Sequence, residues 1–346
     1  MECRRGILSL LGNKNKEREK LFLINGSRFL EKLIASPCNG RCNFSIRNFS
    51  AKELIKATNN FDELLLHACG AKSYRGSFEG RPILVKYFYS GDTFDFGSFY
   101  YECINDIVVT FQMSHHNNVL KLLGYCLEFK YPALVYEYAG NELLSGFLYR
   151  DNESRSLSWK SRLRISKDIA NTVVYLHTAF STPIIYNNLA PSSVIVDQSG
   201  VVKLFDFSLS MPLPPGESQV TVDCVRGKNG FLVPEYFRDG IVSEKCDVYS
   251  FGVLLLQLVA GQNCWSDILT DNTIRHLDSD YVKTHELNEV VDPRILREGG
   301  GTEQDQQLQD FVALALRCTQ NERDDRPEMI DVAKELRRIE RSVRPN

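Results

Sequence analysis

The chain has 346 residues, 43% of them apolar and 25% charged, the composition of a folded protein with one large or two ordinary domains. Forty-one basic residues against 44 acidic ones leave a formal net charge of −3, which gives no basic field for nucleic acid. No apolar run approaches the roughly 18 residues that a membrane span needs; the best, Phe251 to Gly261, is broken by Gln257 and reads as a buried helix.

Residues 1–20 are basic and polar, with Lys14, Lys16, Arg18 and Lys20 in one cluster, and read as a solvated tail. The start, Met1-Glu2-Cys3-Arg4-Arg5, has neither the apolar stretch of a signal peptide nor the Met-Gly of myristoylation, so a cytoplasmic protein is expected. Cys3 beside two arginines is a candidate for palmitoylation, though one acyl chain anchors only weakly. The ten cysteines are scattered, and the one close pair, Cys38 and Cys42, lacks the further ligands of a zinc site. Free thiols and no metal site are expected.

Residues 21–48 read as a helical extension. Asn25-Gly26-Ser27 can cap a helix whose Phe29, Leu30, Leu33 and Ile34 share one face, and Pro37 with Cys38-Asn39-Gly40 ends it. A second helical pattern runs from Phe49 to Phe61. Strands follow at Tyr74–Phe78 and Ile83–Phe88 around a Gly80-Arg81-Pro82 turn, then a helix at Ile104–Met113 and strands at Leu122–Leu127 and Ala133–Tyr138. Beyond Gly140 the pattern is helical, at Trp159–His177, Val248–Ala260, Leu308–Cys318 and Met329–Ile339. A small β-rich lobe over 49–138 and a larger helical lobe over 139–346 make a two-lobed α+β architecture.

One stretch carries most of the functional information. Ile184-Ile185-Tyr186-Asn187-Asn188-Leu189-Ala190-Pro191-Ser192-Ser193-Val194-Ile195-Val196 resembles a protein-kinase catalytic loop, H-R-D-L-x-x-x-x-N, with its chemistry replaced. Asn188 occupies the position of the base, Ser193 that of a magnesium ligand and Ala190 that of a lysine. A neutral amide cannot accept a substrate proton, and loss of a general base costs roughly 10² to 10⁴ in rate. Around this loop, Asp206-Phe207-Ser208 resembles D-F-G and Val233-Pro234-Glu235 resembles A-P-E. Asp247-Val248-Tyr249-Ser250-Phe251-Gly252 and Asp325-Arg326-Pro327 resemble signatures of the helical lobe. The order and spacing of these remnants over 50–340 resemble the protein-kinase fold, in its plant receptor-like branch. In that family the A-P-E glutamate pairs with the late arginine, here Glu235 and Arg326.

The resemblance also locates a nucleotide site. Counting back from Tyr74-Arg75-Gly76 places Leu66, Ala68 and Ala71 where three glycines would close over phosphate, with Gly70 alone and out of register. Lys86 matches the phosphate-pairing strand lysine. Its helix partner is Asp106 if the loop at His115–Asn118 carries one extra residue, with Glu102 as a second candidate. Aspartate is a methylene shorter than glutamate, so a stretched pair or a closer helix is expected. Asp206 keeps a metal-binding carboxylate, while Ser208 replaces a flexible glycine. Lys86, Asp106 and Asp206 are thus nucleotide-binding remnants. No cofactor is expected, with residual ATP or magnesium binding left open. Pro212, Pro214, Pro215 and Gly216 suit a mobile activation segment that is free to bind a partner.

Asn25 to Leu33, Lys121 to Phe129 and Tyr175 to Phe180 are similar to the ZRK group of plant receptor-like cytoplasmic kinases. That resemblance implies an adaptor in plant innate immunity. It would sit on the leucine-rich repeats of a coiled-coil NLR receptor and recruit a modified decoy kinase or meet a bacterial effector, with plasma-membrane association through the receptor complex. It also implies that Gly26, Phe29, Leu30, Leu33 and Ile34 anchor the receptor, the alternative being packing on the chain's own small lobe. A nucleotide-gated switch and a weakly active Ser/Thr kinase remain as alternatives to an inactive adaptor.

Overall fold

A computed structural model describes residues 15–36, 46–68, 70–89, 96–140, 142–149, 156–261, 282 and 286–342. Cys3 and the Cys38–Cys42 pair lie outside these residues, as does the Pro37 stop. The chain forms two compact units, residues 1–115 with 120–141 and residues 116–119 with 142–346. Among the described residues no helix is long and apolar enough to cross a membrane.

The first unit is built on a six-stranded sheet. In chain order its strands are β1 (Arg47–Asn48), β2 (Leu64–Ala68), β3 (Ala71–Phe78), β4 (Arg81–Phe88), β5 (Leu122–Cys126) and β6 (Ala133–Glu137). In space they run β1-β5-β6-β4-β3-β2, antiparallel except for β1 on β5. β4 lies between β3 and β6, so Ile83 to Phe88 are all buried and the strand shows no alternation. The β3–β4 turn is Glu79-Gly80, at φ 51° and 76°, both in the left-handed region that a tight hairpin demands. The sequence reading had placed this turn one residue later, but Arg81 and Pro82 pair with Phe78 and Ser77 inside the ladder.

Among the described residues, three helices complete this unit: α1 (Asn15–Ala35), α2 (Ala51–Ala57) and α3 (Phe96–Gln112). α2 starts on a capping box, with the Glu53 amide donating to Ser50 Oγ at 3.2 Å and the Ser50 amide donating to the Glu53 carboxylate at 2.8 Å. The Ser50 amide, then its hydroxyl, hold the Glu53 carboxyl below its ordinary range. Phe49, Leu54 and Phe61 pack with Tyr74, Tyr87 and Phe129 in one core. Gly124 lets β1 approach β5, because a Cβ there would stand 2.2 Å from the Arg47 carbonyl.

The second unit is mainly helical, with α4 (Leu144–Tyr149), α5 (Trp159–Thr178), α6 (Pro234–Asp239), α7 (Glu244–Ala260), α8 (Leu287–Val290), α9 (Pro293–Leu296), α10 (Gly301–Cys318) and α11 (Met329–Arg341). α7 is buried along nearly its whole length, as expected for a helix that is apolar all round. Gly252 lets α10 come close, since a Cβ would meet Cys318 and Thr319 at 2.7 Å. Trp159 donates its indole N–H to Gln307 at 2.8 Å. Arg162 and Arg294 converge on the buried Asp292 at 2.6 and 2.7 Å. Short strand pairs carry the loops, β7 (Ile184–Ile185) with β10 (Met211–Pro212), β8 (Val194–Val196) with β9 (Val202–Leu204), and β11 (Val220–Thr221) with β12 (Ile241–Val242).

Candidate functional site: a loop cluster with its polar groups turned inward

In the first unit, Lys86 on β4 reaches Asp106 on α3 at 2.7 Å, both side chains almost fully buried. Of the two expectations, a stretched pair or a closer helix, the closed pair fits the second. Thr110, one turn along α3, donates to the other carboxylate oxygen at 3.1 Å. The Lys86 ammonium also stands 4.5 Å from the centre of the Phe88 ring, two residues along the same strand face. Both charges are thus met by partners of the protein's own.

The β2–β3 hairpin does not fit a phosphate. Its ladder runs to the last possible pair, Ala68 with Ala71, so the two strands close on each other up to the connection. Leu66 and Ala71 are buried. Gly70, at φ 77°, serves the tight connection, and its carbonyl accepts from the Tyr89 amide at 3.0 Å. The Tyr89 hydroxyl and a His67 ring nitrogen lie 2.8 Å apart, and the Lys72 ammonium stands 4.7 Å from the Tyr89 ring centre. The hairpin end is braced by side chains.

In the second unit, Asp247 in the first turn of α7 holds the catalytic-loop backbone. Its carboxylate accepts from the amides of Tyr186 and Asn187, both at 2.8 Å, and lies 2.8 Å from His177 Nε2. Asn187 sits at φ 55°, a conformation that asparagine tolerates better than most residues. Asn188, at the base position, donates Nδ2 to the Asp206 carbonyl at 2.9 Å. Ser193 lies 2.8 Å from the carbonyls of both Asn188 and Ala190, and accepts from the Ala190 amide at 3.1 Å. The Tyr186 hydroxyl donates to the Phe205 carbonyl at 2.7 Å. Ser208 donates to Asp206 Oδ1 at 2.6 Å.

A magnesium ion needs several oxygen ligands in near-octahedral order. Here Asp206 Oδ1 accepts from Ser208 in its own turn, the base position presents an amide donor to a carbonyl, and the Ser193 hydroxyl faces two carbonyls. These residues do not fit the ion. Sequence reasoning missed the partners of Asp247 and Tyr186. The buried acid at a helix start was visible, but its targets 60 and 61 residues away were not.

The activation segment is not a free loop. β10, near its start, pairs with β7, and β11, midway along it, pairs with β12, and the Leu213 amide donates to the Pro183 carbonyl at 2.9 Å. The Tyr236 hydroxyl accepts from the Arg226 amide at 2.9 Å and donates to its carbonyl at 3.0 Å. A small cavity of about 10 Å³ beside Asn188 is lined by Lys228, Leu232, Tyr236 and Ser250, room for about one water molecule.

The helical extension differs most from expectation. α1 begins at Asn15, so residues assigned to the tail form its first turns, and it runs straight through Asn25-Gly26-Ser27. Asn25 is not a cap. It is buried, and its Nδ2 donates to the carbonyls of Leu127 and Phe129 at 2.8 and 2.9 Å. Phe29 is 7% exposed and packs on Tyr125 with ring centres 5.0 Å apart. Gly26 and Leu33 are half-buried, and Gly26 faces Leu127 of the same unit. The one face expected of Phe29, Leu30, Leu33 and Ile34 is therefore divided. Leu30 (55% exposed), Ile34 (83%) and Leu23 (70%) make the outward stripe.

Residues 98–336 match the family described as protein tyrosine and serine/threonine kinase. Three relatives from Arabidopsis thaliana align along nearly the whole chain. Non-functional pseudokinase ZRK2 is 41% identical over 96% of this chain and 94% of its own length. Serine/threonine-protein kinase ZRK1 is 40% identical over 96% and 95%. Non-functional pseudokinase ZED1 is 38% identical over 96% and 99%. With this alignment and the degenerate catalytic loop together, the chain belongs to the protein tyrosine and serine/threonine kinase family and, within it, to the ZRK group of plant receptor-like cytoplasmic kinases.

Proposed function

We propose that this chain is a catalytically inactive adaptor in plant innate immunity, linking the leucine-rich repeats of a coiled-coil NLR receptor to an effector-modified partner kinase or to the effector itself. The observation that carries the reading is the Asn188 amide, which donates to the Asp206 carbonyl where a kinase needs a proton acceptor. The braced hairpin end and the outward stripe of α1 support it, as do the names of ZRK2 and ZED1 as non-functional pseudokinases. The protein acts in the cytoplasm and reaches the plasma membrane with its receptor. Affinity purification from plant tissue followed by mass spectrometry tests this. A coiled-coil NLR receptor retained by the unaltered chain and lost with Leu30→Glu is expected, and retention by both chains removes the α1 anchor.

The name of ZRK1 as a serine/threonine-protein kinase and the closed Lys86–Asp106 pair favour a second reading, a nucleotide-gated switch or a weakly active kinase. Phosphate incorporation that disappears in a Lys86→Ala, Asp206→Ala double variant would establish the weak kinase, and a melting temperature raised by ATP without such incorporation would establish the switch.

A further inference from the structure

Four polar residues at altered positions, Tyr186, Asn188, Ser193 and Ser208, make bonds of their own. Asn188 Nδ2 donates to the Asp206 carbonyl at 2.9 Å, and the Tyr186 hydroxyl donates to the neighbouring Phe205 carbonyl at 2.7 Å. Ser208 donates to Asp206 Oδ1 at 2.6 Å. Ser193 fixes the loop from within, its single proton shared between the Asn188 and Ala190 carbonyls, each 2.8 Å away. Tyr186, Ser193 and Phe207 are fully buried, and the rings of Tyr186 and Phe207 stand 5.1 Å apart. Asp206 itself sits at φ 68°, in the left-handed region that aspartate enters at lower cost than most residues.

We infer that Tyr186, Asn188, Ser193 and Ser208 form a latch that fixes residues 205–208 without metal or nucleotide. The replacements then supply structure as well as removing chemistry. This deepens the inactive reading and rests on it. The polarity of the latch is specific. Aspartate has the shape of asparagine, but a carboxylate at 188 would press an acceptor against the Asp206 carbonyl, and the donor would be gone. Restoring the kinase residue therefore breaks the latch.

The test uses the full chain with Asn188→Asp and, separately, Ser208→Gly. Melting temperature is read with and without magnesium and ATP, and amide exchange is read over residues 205–210. Each variant is expected to melt several degrees lower and to exchange about tenfold faster in that segment, while magnesium-ATP leaves the unaltered chain where it was. If Asn188→Asp fails to fold, Ser208→Gly carries the measurement alone. Exchange and melting unchanged in both variants would remove the latch, because a purely space-filling role tolerates the isosteric change. A melting temperature raised by magnesium-ATP in the unaltered chain would also overturn it. Phosphate incorporation by the unaltered chain would instead remove the reading of inactivity, so the two failures are distinguishable.

Discussion

Arg326 grips Glu235 with two nearly parallel bonds, 2.6 Å from Nη1 and 3.0 Å from Nη2. The same guanidinium donates to the carbonyls of Gln320 and Asn321 at 2.7 and 2.9 Å, so it ties α6 to the loop before α11. Removing one partner of such a pair leaves a charge without compensation, at roughly 3 to 5 kcal/mol. Arg326→Leu is therefore expected to destabilise the chain by about that amount in denaturant titration, and Glu235→Gln by less. Midpoints equal to that of the unaltered chain would show the pair to be inert.

The Lys86–Asp106 pair makes a similar prediction with a different signature. Lys86→Met leaves the Asp106 carboxylate buried without its ammonium partner, and Asp106→Leu does the reverse. Each alone is expected to cost roughly 3 to 5 kcal/mol. The double variant, apolar on both sides, is expected to recover a large part of that loss, and a double-mutant cycle in urea measures the coupling. Simple addition of the two losses would contradict a direct pair.

Much of this was legible in the chain. Ile184, Ile185, Leu189 and Val194 to Val196 kept the apolar frame of a catalytic loop, so changes at Asn188 and Ser193 stood out against a fixed register. The resemblance offered Lys86 either Asp106 or Glu102 as a partner, and the Glu235–Arg326 pair came with the same resemblance. Helix starts were missed where they are polar. α10 begins at Gly301, seven residues before the Leu308 that first signals it, because apolar periodicity is silent over a solvated turn. Asn25 was misread for a different reason. Asn-Gly-Ser is good capping chemistry, and only the carbonyls of Leu127 and Phe129, 102 and 104 positions away, turn it into a buried anchor.

Thiol chemistry follows burial. Desolvation pushes the thiols of Cys126, Cys246 and Cys318 up to about 12, so at pH 8 they remain protonated and enclosed. Cys224 in the activation segment is exposed. Among the described cysteines, iodoacetamide at pH 8 is expected to modify Cys224 first, with Cys126, Cys246 and Cys318 reacting only on unfolding. Peptide mapping after a short pulse checks this, and early labelling of Cys246 would mean that the core around α7 opens.

Nucleotide affinity is expected to be weak, because the β2–β3 ladder closes on itself and Asp206 is bonded within its own turn. Calorimetry with ATP and magnesium should show nothing tighter than about 10 μM, near −7 kcal/mol. Tighter binding would return Lys86 and Asp206 to working roles.

The two sides of α1 separate stability from recognition. Phe29 is buried on Tyr125 and Asn25 bonds two carbonyls of the sheet. Phe29→Ala should therefore lower stability by roughly 3 kcal/mol, and Asn25→Ala by about 1 to 3 kcal/mol. Leu30 and Ile34 face solvent, so Leu30→Glu and Ile34→Glu should leave the melting temperature within about a degree, as exposed substitutions commonly do. If the outward stripe is the receptor anchor, each of those two changes should weaken association with an NLR repeat domain by about thirtyfold, the roughly 2 kcal/mol of an interface hot spot. Thermal melts and surface binding on the same four proteins check both halves. A Phe29→Ala chain that melts normally but no longer binds would mean that the phenylalanine leaves its seat to meet the receptor.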